Sequence, residues 1–160
     1  MEVITGSCRF GLWHVHVAWQ GTTVYRVRFA EYGIDGPVPS AFRHYFAGHV
    51  VDLAQFHSTA LEGDSVHARI YQAVRQIPFG ETCTYGGIAG IVGTSARVVG
   101  MAMARNPTPL VVPCHRVVGA DGIGGFTPDV ELKEALLLLE KKAKVRVFNP
   151  SADKQSKDRP

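Results

Sequence analysis

The sequence has few cysteines, and they do not form the pattern of a disulfide framework. Cys8, Cys83 and Cys114 are scattered over 160 residues, are odd in number and form no CxxC pair, so we do not expect a disulfide-stabilised secreted domain. The best metal-binding combination is Cys8 with His14 and His16, because histidines two residues apart share a strand face. No fourth ligand accompanies them, and two outward polar side chains are the simpler interpretation.

We also expect neither a membrane span nor a secretory leader. No apolar run reaches membrane-spanning length, and the first residues lack the basic start and small-residue cleavage site of a signal peptide. We therefore expect no membrane partner and a reducing compartment, cytoplasmic or, in a eukaryote, nuclear. The chain is 46% apolar and 19% charged, which is typical of a folded domain.

Acidic residues are absent between positions 84 and 120, where Arg97, Arg105 and Arg116 are found. Uncompensated positive charge of this kind is typical of a surface that faces phosphate. The overall charge of +3 is weaker evidence of nucleic-acid binding, because most of the positive charge lies in the tail. Residues 141–160 carry seven basic and two acidic side chains, a net +5, which leaves −2 for residues 1–140. We expect this basic tail to be disordered.

Alternating apolar and polar residues predict strands over 10–17 and 22–29, and the pattern favours a short helix over 40–48 and a further strand over 50–56. We assign residues 1–63 to a small N-terminal antiparallel β-sheet domain. Together with the helices that follow, this indicates an α/β (α+β) protein.

Residues 64–140 are predicted to form a helical C-terminal domain. Its first helix is capped by Asp64 or Ser65. A short helix over 85–92 starts at Thr84 and ends at Gly93, a second covers 96–105, and the last starts near Asp129 and ends at Lys141. Two short helices joined by a glycine-containing turn predict a helix-turn-helix, winged-helix-like, although helix hairpins in ordinary cores have the same pattern.

One face of the second short helix has almost no side chains. Ala96, Gly100 and Ala104 are spaced at i, i+4 and i+8, and Arg97 and Arg105 flank them. Such a stripe indicates either close packing against another helix or a helix that enters a narrow DNA groove.

Cys114 follows Pro113, which fixes the backbone before it, and precedes His115. A thiolate is the reactive form of cysteine, and His115 is the nearest base. Because neighbours in an extended chain point to opposite sides, direct contact would need a turn or an intervening water. Glu140 could orient the imidazole through the fold. On this pair alone, a small buried apolar side chain is the favoured interpretation of Cys114.

The segment Pro113-Cys114-His115-Arg116-Val117 resembles the active-site signature of the O6-alkylguanine-DNA alkyltransferases, also called methylated-DNA–protein-cysteine methyltransferases. The resemblance covers residues 66–140, whereas the N-terminal block matches only in length and strand content. Other matching positions, in the family's order and approximate spacing, are Ile77-Pro78, Gly80, Thr84-Tyr85, Ile88-Ala89, Gly93, Ala96-Arg97, Val99-Gly100, Asn106-Pro107, Gly122, Gly124-Gly125, Lys133, Leu136-Leu137 and Glu140.

The resemblance implies DNA repair by a single-turnover transfer that uses no cofactor and no metal. Cys114 would accept the alkyl group from O6-alkylguanine, and from O4-alkylthymine, by SN2 attack. His115 would act as base through a water, Glu140 would orient it, and Tyr85 would donate a proton to the expelled guanine.

It also implies that the damaged base is flipped out of duplex DNA. Arg97 would fill the vacated space, and the helix bearing Ala96, Gly100 and Ala104 would enter the minor groove with little sequence specificity. Thr84 and Arg105 would contribute further DNA contacts. The protein is expected to act as a monomer.

The substrate pocket implied by the resemblance includes a hinge residue, Asn106, and a loop that closes over the flipped base. The expected pocket residues are Asn106, Pro113, Val117, Gly124, Gly125, Phe126 and Thr127. The family commonly has Tyr or Trp followed by Ser where this chain has Phe126-Thr127, which Pro128 follows. This difference affects the expected shape of the pocket and the range of alkyl groups that it accepts.

Two other classes of protein compete with this interpretation. A non-catalytic binder of alkylated DNA, like the alkyltransferase-like proteins, would usually have tryptophan in place of Cys114. A cysteine hydrolase would need an oxyanion hole and a histidine remote in sequence, and no spacing in this chain indicates them.

Overall fold

A computed structural model of the protein describes residues 2–148. The N-terminal part is a three-stranded antiparallel sheet in the order β1-β2-β3, with β1 at Ile4–Phe10, β2 at Trp13–Gln20 and β3 at Thr23–Ala30. The two predicted strands correspond to β2 and β3. The sequence analysis missed β1, whose residues ITGSCRF include Gly6, a residue type that is depleted in strands.

Helix α1, Ser40–Phe46, contributes Phe42 and Tyr45 to the core beneath this sheet. The strand predicted over 50–56 is wrong, because the chain makes a 3-10 turn at Leu53–Gln55. The Asp52 carboxylate starts that turn by accepting a hydrogen bond from the Ala54 N–H at 3.1 Å.

Three helices of the second half begin at the caps expected from local sequence. They are α2 (Val66–Arg75), α3 (Tyr85–Val92) and α4 (Ala96–Ala104), and Ser65, Thr84 and Ser95 respectively accept a hydrogen bond from the N–H three residues further on. Gly93 ends α3 with a left-handed φ of 83°. Helices α3 and α4 are bent by 105° at the turn between them, which is typical of a helix-turn-helix.

The two halves have separate apolar clusters. One lies under the sheet, and the other is built by α2, α3 and α4 around Ile70, Val74, Ile88 and Val99. The mixed α/β class is therefore confirmed, whereas the winged-helix-like detail stays a prediction, as do the domain boundaries. Helix α5, assigned from sequence to the C-terminal domain, packs into the cluster under the sheet.

Helix α5 spans Val130–Phe148. The expectation that it ends at Lys141 and gives way to a disordered tail is wrong for residues 141–148. No glycine or proline interrupts this stretch, and Ala143 is still buried against the core. The rest of the predicted tail, 149–160, lies outside the described residues.

Within residues 2–148 no single helix is long and apolar enough to cross a membrane, and α3 and α4 reach that length and composition only as a bent pair. The same residues contain no group of three His, Cys, Asp or Glu side chains that could hold a metal ion. Of the trio considered from sequence, Cys8 is buried, and Nε2 of His16 lies 2.7 Å from the carbonyl oxygen of Tyr32.

Candidate active site and the cleft beside it

Cys114 lies in a 3-10 turn, Cys114–Arg116, that interrupts the extended segments expected around it. The turn is closed by the Arg116 N–H, which donates to the Pro113 carbonyl at 2.9 Å. Strand β5, Val117–Val118, follows and pairs in parallel with β4, Cys83–Thr84. The turn removes the alternation of faces that would separate Cys114 from its neighbours in an extended chain.

The Cys114 side chain lines a cavity of about 910 Å³ and is 6% exposed. Ligand sites in proteins commonly have volumes of about 300 to 1,000 Å³, so a purine base fits this space. The other lining residues come from β3, α3, α4 and two loops: Tyr25, Arg26, Val27, Arg28, Phe29, Tyr85, Gly100, Met103, Ala104, Arg105, Asn106, Pro107, Pro109, Gly125, Phe126, Thr127 and Pro128.

The expected pocket residues thus divide into two groups. Asn106 and the loop residues Gly125, Phe126 and Thr127 lie on the cavity wall. Three others lie behind it: Pro113 and Val117 are buried in the protein, and Gly124 packs against Tyr85.

The structure explains why position 124, in the loop after Cys114, is a glycine. Its φ is +79°, and a Cβ at this position would lie 2.7 Å from the Tyr85 hydroxyl oxygen. Only glycine adopts this conformation freely, so the residue allows the loop backbone to approach the aromatic ring. At Gly124 the close approach that this structure shows is to Tyr85, and the closure of the loop over a flipped base stays a prediction.

The structure brings His115 and Glu140 together in the protein interior. They are 1% and 0% exposed, and Nε2 of His115 is hydrogen-bonded to Oε2 of Glu140. The Tyr45 hydroxyl donates to the same oxygen at 2.5 Å. The other oxygen, Oε1, accepts from the Gly80 N–H at 2.8 Å and from Nε of Arg116 at 2.9 Å. Four donors from three parts of the chain therefore hold one carboxylate.

These contacts set the charge states of the pair. Burial alone would raise the pKa of Glu140, but His115 and Arg116 hold that pKa well below its usual range. Burial lowers the pKa of His115 despite the neighbouring carboxylate. At neutral pH the imidazole is therefore neutral, and Arg116 supplies the positive charge that balances Glu140.

A neutral His115 that donates from Nε2 to Glu140 has its lone pair on Nδ1. This nitrogen is buried and has no hydrogen-bond partner among residues 2–148. Buried polar atoms are rarely left unpaired, and in native structures such an atom commonly bonds to a water. Nδ1 is thus the basic atom of the site that is available to take a proton.

Burial raises the pKa of the Cys114 thiol to about 11. The Asn106 amide, the Lys133 ammonium and the backbone N–H groups of Cys114 and His115 act in the opposite direction without overcoming it. The resting protein therefore holds a thiol at neutral pH. A base must take its proton as the sulfur attacks, because the thiolate is the nucleophile.

Lys133 is buried and belongs to the site. The sequence analysis listed it only as a position that matches the family and gave it no role. Its ammonium donates to the carbonyls of Val117 at 2.6 Å and Gly125 at 3.2 Å, and to the Tyr85 hydroxyl at 3.4 Å. Burial raises the pKa of Tyr85 and lowers that of Lys133. Tyr85 is thus a neutral phenol next to a cation that would stabilise its phenolate.

Helix α4 presents its bare stripe outward. Ala96 and Ala104 are exposed, and no atom lies within 4 Å of the position of a Cβ on Gly100. The stripe therefore does not serve close packing against another helix. Arg97 is exposed, and its guanidinium has no hydrogen bond or ion pair with any other residue of the described chain.

Two other residues expected at the DNA surface have structural contacts. Thr84 is exposed, but its hydroxyl caps α3 by accepting from the Gly87 N–H at 2.9 Å. Arg116, which the charge pattern assigned to a surface that faces phosphate, is 1% exposed and donates to Glu140 and to the Ile77 carbonyl. The positive segment thus presents Arg97 and Arg105 to solvent.

The residues that sequence reasoning missed come mostly from the N-terminal half. Arg26 and Arg28 of β3 line the cavity, and Tyr45 of α1 binds the buried carboxylate. The alternation along β3 was a usable signal, because it placed both arginines on the polar face of a predicted strand. Nothing in the sequence links Tyr45 to Glu140, 95 positions away.

Comparison with known proteins agrees with the resemblance. Residues 65–142 match the family model described as 6-O-methylguanine DNA methyltransferase, DNA binding domain. The chain is similar to methylated-DNA--protein-cysteine methyltransferases of Metallosphaera sedula, 45% identical over 97 residues, and Saccharolobus solfataricus, 43% identical over 96. These alignments cover 61% and 60% of this chain, and the chain spans 62% of the length of each relative.

Solved structures match over a longer part of the chain. Mycobacterium tuberculosis O6-methylguanine methyltransferase is 30% identical with a TM-score of 0.71, over 92% of this chain and 99% of that one. Mycobacterium tuberculosis OGT in complex with DNA is 32% identical with a TM-score of 0.69, over 87% and 92%. The likeness therefore includes the N-terminal sheet, which the sequence motifs did not reach.

Proposed function

Because this chain belongs to the 6-O-methylguanine DNA methyltransferase family, we propose that it repairs DNA by moving the alkyl group of O6-alkylguanine onto its own Cys114, once per molecule. The observation that carries the proposal is the position of the Cys114 thiol on the wall of a cavity large enough for a purine, beside the buried His115–Glu140 pair. O4-alkylthymine is included as a second substrate. The protein would work as a monomer, in the cytoplasm or the nucleus.

The proposed transfer is an SN2 displacement. The Cys114 sulfur attacks the alkyl carbon, the carbon–O6 bond breaks, and its electron pair stays on guanine. The thiol proton passes to Nδ1 of His115 through a water. Glu140 accepts the hydrogen bond from Nε2 and stabilises the imidazolium that results.

The leaving guanine needs a proton on its ring because it departs as an anion. The Tyr85 phenol would supply it, and the Lys133 ammonium, 3.4 Å from its oxygen, would stabilise the phenolate that remains. The products are a thioether on Cys114 and unmodified guanine. The carbon–sulfur bond persists, so each molecule reacts once.

In duplex DNA the lesion is stacked inside the helix, and flipping it out costs a few kcal/mol. Helix α4 would lie in the minor groove, about 6 Å wide, with the face formed by Ala96, Gly100 and Ala104 against its floor. The exposed Arg97 would occupy the space that the base leaves. Because the minor groove carries a degenerate hydrogen-bonding pattern, sequence specificity would be low.

Arg97→Ala is expected to slow repair of O6-methylguanine duplex by about tenfold or more, and the reaction with free O6-benzylguanine by less than about twofold. The reason is that only the duplex needs extrusion, whose cost is a few kcal/mol. Single-turnover rate constants with both substrates measure the difference.

The matched control is Arg43→Ala, which removes an exposed arginine of α1 from outside the cavity wall and should leave both rate constants unchanged. Equal losses on the two substrates in Arg97→Ala would remove the proposed role in base flipping.

A further inference from the structure

The cavity beside Cys114 is lined by both halves of the protein. Residues 25–29 of β3 form one part of the lining, called the β3 wall, and the rest comes from α4, the segment after it, Tyr85, Cys114 itself and the loop 125–128. A backbone hydrogen bond of 3.0 Å, from the Val27 N–H to the Pro107 carbonyl, joins β3 to the segment after α4. The N-terminal sheet therefore helps to shape the cavity that a base would occupy beside the thiol.

The β3 wall carries two arginines. Arg26 and Arg28 alternate with the buried Val27, so both project from the exposed face of the strand. The pairing of β2 with β3 shifts register between Ala18 and Trp19, leaving Tyr25 as an extra residue just before Arg26. Such bulges redirect side chains and are frequent beside functional sites.

These two guanidinium groups are unneutralised. Neither has a hydrogen bond or an ion pair with another side chain in residues 2–148. Arg105 lines the cavity from the α4 side, and no aspartate or glutamate is among the lining residues. Clefts lined by charge of one sign concentrate ligands of the opposite sign, so this cleft favours an anion.

We propose that Arg26 and Arg28 bind backbone phosphates of the DNA strand from which the damaged base is extruded. The inference rests on the proposed function. A helix in the minor groove has a sugar–phosphate strand on either side of it. Arg26 and Arg28 line the same cavity as Gly100, Ala104 and Cys114. The strand that delivers its base to Cys114 would then run past β3 as well as α4 and bring its phosphates to the two arginines. The N-terminal sheet and α4 together then act as a clamp on one strand.

The test measures how strongly binding depends on salt. Each phosphate neutralised by a protein cation adds about 0.9 to the slope of log Kd against log salt concentration. Loss of two contacts in Arg26→Gln/Arg28→Gln lowers the slope by about 1.8, so the ratio of Kd at 200 mM KCl to Kd at 50 mM KCl falls about twelvefold. Binding is measured with O6-methylguanine duplex on proteins that also carry Cys114→Ser, which prevents alkylation during the titration.

Two further variants make the comparison specific. Arg26→Lys/Arg28→Lys keeps both charges and should keep the wild-type slope, although lysine cannot make the bidentate contact. Arg9→Gln removes an exposed arginine from β1, at the other edge of the same sheet, and should also keep it. Thermal unfolding of every variant establishes that it is folded.

An unchanged slope in the double glutamine variant would overturn the proposal. So would a slope lowered by about 0.9 in Arg9→Gln, the same loss per charge, because it would indicate a general effect of charge. Failure of the proposed function has a different signature. In that case the protein with Cys114 intact acquires no alkyl group from methylated duplex, whatever its salt dependence.

Discussion

Cys114→Ser is expected to bind O6-methylguanine duplex as the wild type does but to transfer almost no alkyl group from it. Serine is nearly the same size, so the buried position stays filled. A hydroxyl is a far weaker nucleophile than a thiolate, and its proton is much harder to remove, so the transfer rate should fall by about 10³-fold or more. Transfer of radiolabelled methyl to protein and fluorescence anisotropy of labelled duplex measure the two properties.

Cys83→Ser is the matched control. Cys83 is a half-buried free cysteine in β4, and it is not part of the cavity wall. This variant should transfer methyl at close to the wild-type rate. If Cys83→Ser were inactive and Cys114→Ser active, the nucleophile would have been assigned to the wrong cysteine.

Glu140→Gln should destabilise the protein by about 3 to 5 kcal/mol at neutral pH, the usual cost of breaking a buried ion pair. Both carboxylate oxygens accept from two donors each, so either orientation of the glutamine points its NH₂ group at groups that already donate. Arg116, 1% exposed, would also lose its buried counter-charge. Chemical unfolding at pH 7 measures the loss. The control is Glu134→Gln on the exposed face of α5, which should change stability little.

The transfer of methyl by Glu140→Gln should also be about 10² to 10⁴-fold slower than by the wild type. Without the carboxylate, the His115 imidazolium is no longer stabilised, as in triads that lose their acidic member. A folded Glu140→Gln protein with wild-type transfer rates would show that the pair does not serve the reaction.

The effect of Glu140 on stability has a definite pH dependence. Its pKa is held well below the usual value of 4.5 by His115 and Arg116. A carboxyl with a depressed folded-state pKa stabilises the protein fully above its unfolded pKa, and the contribution is lost as pH falls toward the folded value. The stability gap between wild type and Glu140→Gln should therefore be widest near pH 7 and narrow below about pH 4.5. A gap that stays constant to pH 3 would contradict the assigned charge state.

The elements that could be predicted from sequence are those whose signals are local. Ser65, Thr84 and Ser95 cap helices through bonds to residues three positions away, and Gly93 ends α3 through its own backbone conformation. Strand β1 could not be found this way, because it is held by its pairing with β2 rather than by its own residues.

The chemistry of the site followed from the motif around Cys114, but its surroundings did not. The pKa of the thiol depends on burial, which no local pattern reveals, and the motif alone did not indicate that the resting group is a protonated thiol. Arg116 looked like a surface charge because its partner, Glu140, lies 24 positions away. Tyr45, Arg26 and Arg28 enter the site only because the N-terminal half folds against the helices.

The most direct test of the account is the mass of the intact protein, with peptide mapping, after incubation with duplex DNA containing a single O6-methylguanine. We expect the mass of one added methyl group per molecule, located on the peptide containing Cys114. A duplex that is bound but leaves the protein mass unchanged would indicate a binder without transfer activity, and a methyl group on any other residue would overturn the assignment of Cys114.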